Sequence, residues 1–103
     1  MFRLASVGLV DNRILIVESD REAASRMAED VSHSGGTVAG TVADISAMLA
    51  AIDGDLSFDS VMVDAQTLSQ APIFVPEWLS GKGLRLVVVT SCDDWYLNEA
   101  DVE

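Results

Sequence analysis

Three apolar runs of the chain show no alternation, and each ends in a polar residue. Ile14-Leu15-Ile16-Val17 leads into Glu18-Ser19-Asp20, Val61-Met62-Val63 into Asp64, and Leu86-Val87-Val88-Val89 into Thr90-Ser91. Continuous runs rich in β-branched residues predict strands buried on both faces, as in a parallel sheet. Ligands of such sheets sit at the carboxyl ends of the strands, so two carboxylates and a hydroxyl are expected at one sheet edge.

Between the strands the spacing changes to helical. Glu22 to Ser32 predicts a helix with Ala24, Met27, Ala28 and Val31 on one face, stopped by Ser34-Gly35-Gly36. Thr37 to Val42 is a second, weaker strand. Asp44 can cap a helix whose apolar face is Ile45, Met48, Leu49 and Ile52, ended by Gly54. After the strand from Ser60 to Val63, Ala65 to Val75 is read as a loop carrying Pro72. Pro76 suits the first turn of a short helix, Glu77 to Ser80, broken by Gly81 and Gly83. Leu84 to Val89 is the fourth strand. Ser91 can cap a last helix from Asp93 onward, with Asp94 completing a capping box. Strands alternating with helices imply right-handed βαβ units and a doubly wound parallel sheet, an α/β fold.

Composition narrows the classes. The 103 residues make one domain with one core, and half are apolar, enough to fold. No run approaches the ~20 apolar residues of a membrane span. Met1 to Val10 does not read as a signal peptide, because Asp11 and Asn12 interrupt it. Against 6 basic residues stand 17 acidic ones, a net charge of −11, which opposes binding to nucleic acid or an anionic membrane. Cys92 is alone, so no internal disulfide forms, in keeping with a cytoplasmic protein. One Cys and one His make no zinc constellation.

With these residues in place, the chain resembles a receiver domain of two-component response regulators over about residues 13 to 95. Ile14 to Asp20 is similar to the family's first strand and acidic exit. Val61-Met62-Val63-Asp64 resembles the strand that ends in the phosphoacceptor. Val87 to Ser91 resembles the strand that ends in the switch hydroxyl. The resemblance implies a flavodoxin-like fold with Asp64 as phosphoacceptor and Thr90 as switch. It implies that Glu18, Asp64 and the backbone carbonyl of Gln66 hold Mg²⁺, with Asp20 able to help. The chain also departs from the family. Ser19 stands where a second acid is usual, and Leu68 where a Pro is frequent. The family's fifth strand, its phosphate-binding Lys and its last helix would follow Glu103, and Lys82 precedes the fourth strand.

Plainer roles compete for several of these residues. Ser19-Asp20-Arg21-Glu22 is a capping box, which makes Ser19 a helix cap. Glu18 and Asp20 suit a helix N-terminus as well as a metal. Asp64 directly follows a buried strand, which is costly without partners, and is read as a site residue. Thr90 could serve a loop N–H instead. His33 is assigned an exposed position and no role. Trp78, Trp95 and Tyr96 are read as cover for the core, the last two being alternatively anchors for a partner.

These readings give a receiver-like signalling module, not an enzyme, of a two-component phosphorelay. It acts by protein–protein interaction with a sensor kinase or another signalling protein, and phosphorylation at Asp64 is weak or absent. Without the fifth strand, the fourth becomes an apolar edge, which predicts a homodimer or docked partner through that strand and the C-terminal segment. The alternatives are a competent Mg²⁺-dependent phosphoacceptor, a piece of a longer receiver, a small flavodoxin-like enzyme or cofactor carrier, and an acidic inhibitor protein. The enzyme reading lacks a Gly-rich phosphate loop after the first strand. It also lacks a Ser or Cys nucleophile with a base in reach, since His33 is far from Cys92 in sequence.

Overall fold

A computed structural model of the chain describes residues 10–54, 57–89 and, for the backbone, 95–97. The elements run β1 Arg13–Val17, α1 Arg21–His33, β2 Thr37–Val42, α2 Ile45–Gly54, β3 Ser60–Asp64, α3 Ala65–Ser69, α4 Val75–Gly81, β4 Arg85–Val89 and β5 Trp95–Leu97. Strand order is β2-β1-β3-β4-β5. The first four strands are parallel, and β5 pairs with β4 antiparallel. The α/β class and the parallel sheet are as the sequence implies, and the layout is compatible with a flavodoxin-like fold.

The continuous apolar runs are explained by burial on two faces. Side chains alternate along each strand. Leu15, Val17, Val61, Val63, Leu86 and Val88 face one layer, where Met48 and Ile52 of α2 and Val75 and Leu79 of α4 meet them. Ile14, Ile16, Met62, Val87 and Val89 face the other, with Met27 and Val31 of α1. Each fully buried aliphatic side chain contributes about 1.5–3 kcal/mol. The strand β2 is only half-buried. Its register against β1 shifts between Ile14 and Leu15, where Val38 and then Gly40 are the partners and Ala39 is passed over.

Helix ends follow local chemistry. Asp44 caps α2, its Oδ1 accepting from the Ala47 amide at 2.8 Å. After α1, Gly35 takes a φ of +88°, the left-handed region where a Cβ is costly, and the Gly36 amide donates to the Val31 carbonyl at 3.0 Å. Gly83, with φ +79°, repeats that turn after α4, and the Leu84 amide donates to the Leu79 carbonyl at 3.0 Å. At the amino edge of the sheet, the Asp59 carboxylate accepts from the Arg13 amide at 2.8 Å. The buried Ser60 hydroxyl donates to Asn12 Oδ1, also at 2.8 Å. These bonds tie β1 to β3.

The structure corrects the sequence reading in three places. Residues Ala65 to Ser69, read as loop, form the short helix α3. Trp95–Leu97 is strand and not part of a helix starting at Asp93. β4 is therefore not a bare edge, and a fifth strand exists: Val87, Val88 and Val89 pair with Leu97, Tyr96 and Trp95. The physical reason is that an open β4 leaves backbone groups unpaired, and a Trp-Tyr-Leu triplet suits a strand. Asp93, Asp94 and Ser91 lie outside the described residues, so their expected capping roles are not described.

Candidate functional site

The carboxyl edge of the sheet holds the candidate residues. β1 and β3 are neighbours, with Val17 paired to Val63. Glu18 and Asp64 are next in each chain, so they leave adjacent strands side by side, at the strand spacing of about 5 Å. Asp64 in turn pairs with Val89 of β4. Thr90, the expected switch hydroxyl, follows Val89 and lies outside the described residues.

Each acid at this edge is held by amides of its own loop. Glu18 is half-buried, and its Oε2 accepts from the Asp20 amide at 2.9 Å. Its own amide donates to the Val42 carbonyl at 2.9 Å, which carries the β1–β2 ladder past the end of β1. Asp20 is exposed, and its Oδ2 accepts from the Ala23 amide at 3.0 Å. Asp64 is half-buried, and its Oδ2 accepts from the amides of Gln66 at 3.0 Å and Thr67 at 3.4 Å. The Gln66 carbonyl, expected to face a metal, accepts from the Ser69 hydroxyl at 2.7 Å.

The cap of α1 is a further correction. The sequence gives Ser19 as cap, answered by Glu22, whereas the structure gives Asp20, answered by Ala23 three residues on. The helix starts at Arg21, one residue later than a cap at Ser19 requires. Glu18 explains the offset, because its carboxylate receives the Asp20 amide and turns the chain before the helix begins. Ser19 is left exposed.

This geometry sets what the edge can do. It brings Glu18 and Asp64 together and commits Asp20 to a helix end. Among the described residues, no three His, Cys, Asp or Glu side chains gather to hold a metal ion. Mg²⁺ needs an octahedron of oxygens, and a site with few carboxylates leans on water and phosphate for the rest. Glu18 and Asp64 could offer such an ion two carboxylates, with the Gln66 carbonyl already accepting a hydroxyl. The described residues alone supply too few oxygens at this edge to hold a cation firmly.

Two features escaped the sequence reading. Asp64 is the N-cap of α3 as well as a strand-end acid. The Asn12–Ser60 and Arg13–Asp59 bonds join residues far apart in the chain, which no local pattern reveals. His33, at the end of α1, is exposed as expected, and Trp78 packs against the core. Trp95 and Tyr96 belong to β5. Among the described residues no helix is long and apolar enough to cross a membrane. No family model, curated protein or solved structure matches this chain.

Proposed function

We propose that the protein is a receiver-like signalling module that works by binding another protein, with phosphorylation at Asp64 weak or absent. The observation that carries this reading is the Val17–Val63 register, which sets Glu18 beside Asp64 at the carboxyl edge of a parallel sheet. An acid pair at that edge is the core of a phosphoacceptor site in the family that the sequence resembles. The strand order β2-β1-β3-β4 supports the same flavodoxin-like assignment.

Weak phosphorylation is inferred from what surrounds Asp64. Phosphoryl transfer to a carboxylate depends on positioning and on neutralising charge. Here Asp64 holds the start of α3 and Asp20 holds the start of α1, while Ser19 supplies no charge. Attack by Asp64 on a phosphodonor would have to leave those bonds intact or break them. Mg²⁺ is accordingly an optional, weakly held partner of Glu18 and Asp64. The output comes from contact with a sensor kinase or other signalling protein in the cytoplasm, without catalysis by this chain. The self-association expected from an open β4 shifts to β5, the edge of the sheet among the described residues.

Treatment with Mg²⁺ and acetyl phosphate, read by intact mass, tests this. The expected result is little or no gain of a phosphoryl group. A near-stoichiometric gain that Asp64→Asn abolishes would establish a competent phosphoacceptor in its place.

A further inference from the structure

Ile73 and Phe74 are apolar neighbours without a core to fill. Ile73 is 96% exposed and Phe74 50% exposed. They lie in the turn between α3 and α4, and the buried residues of α4 are Val75 and Leu79. Trp78 stands four residues after Phe74, and its amide donates to the Phe74 carbonyl at 2.8 Å. Positions four apart share one helix face, so Phe74 and Trp78 form a row. Lys82 extends it, with Nζ 5.2 Å from the centre of the Trp78 ring. Trp78 packs on the core cluster behind this row. An almost fully exposed Ile leaves apolar area in water that a partner can bury.

The surroundings define that partner. α4 starts at the end of the sheet where β3 finishes, because it must descend to enter β4. Glu77 lies in its first turn. Asp64, Glu18, Asp20 and Asp44 stand at the same end, at the exits of β3 and β1 and the starts of α1 and α2. The whole chain carries −11. Such a rim attracts a basic surface and, at this end of the sheet, opposes nucleic acid and the same rim of a second copy.

We propose that Ile73 and Phe74, backed by Trp78, dock a protein partner through a segment whose aliphatic side chains are flanked by Lys or Arg. This names the surface for the protein-binding reading given above and is independent of phosphorylation at Asp64.

The test is an amide-resolved NMR titration of the full chain with a synthetic amphipathic peptide of Leu and Lys. A Leu–Glu peptide of the same pattern is the control. Saturable shifts centred on residues 72–78 are expected from the Leu–Lys peptide alone. Ile73→Ser combined with Phe74→Ser should weaken binding about tenfold or more. Both positions are exposed, so the remaining spectrum should stay that of the folded chain. Equal binding of the Leu–Glu peptide, an unaffected double variant, or no binding would overturn the proposal. Concentration-dependent shifts at the same residues without peptide would overturn it in favour of a second copy. Shifts confined to the β5 edge would overturn this surface but spare the protein-binding reading, and phosphorylation at Asp64 bears on neither.

Discussion

Asp64 Oδ2 accepts a 3.0 Å hydrogen bond from the amide of Gln66, two residues on. That bond makes the acid that ends β3 the residue that starts α3. Asp64→Ala removes the cap and should destabilise the protein by about 0.5–2 kcal/mol in urea unfolding. Asp64→Asn keeps an acceptor oxygen at the same place, and its loss should be a few tenths of a kcal/mol. Equal losses for the two variants would mean that charge, not capping, is what Asp64 supplies.

The cap of α1 is separable from its neighbour. Asp20→Ala should cost about 1 kcal/mol, because the Ala23 amide loses its acceptor. Ser19→Ala, at an exposed position, should stay within about 0.5 kcal/mol. The reverse order in a chemical denaturation series would restore Ser19 as the cap.

The amino edge offers a third expectation. Asn12→Ala leaves the buried Ser60 hydroxyl without its acceptor, which should cost about 1–3 kcal/mol. Asn12→Ala combined with Ser60→Ala removes both partners and should lose less than Asn12→Ala alone. Thermal unfolding of the two variants measures the difference, and a double variant that loses more would show that the pair is not coupled in this way.

These residues also show what a sequence can and cannot disclose. The strands β1, β3 and β4 were legible because burial on two faces removes the polar positions that would mark a solvent side. The caps of α2 and of the α1 C-terminus were legible because Asp44 and Gly35 act on amides or carbonyls within a few residues. α3 was not, because it is five residues long and its cap, Asp64, carries a stronger chemical signal as a strand-end acid. β5 was not legible because Ser91 to Asp94 read in sequence as a helix start, while the demand for a strand comes from β4 across the sheet. Asn12 and Ser60 are 48 residues apart, so their bond leaves no trace in local spacing. Of the candidate site, the placing of Glu18 beside Asp64 followed from strand order. The capture of each acid by its own loop depends on backbone geometry that sequence patterns do not encode.

The central claim is that the Glu18–Asp64 edge keeps the place of a phosphorylation site with little of its chemistry. Its most direct test is an amide-resolved NMR titration with Mg²⁺ and beryllofluoride, which mimics a phosphoryl group on a carboxylate. No saturable change is expected at Glu18, Asp64, Gln66 and Thr67 at millimolar concentrations. Saturation at those four residues, lost in Asp64→Asn, would contradict it.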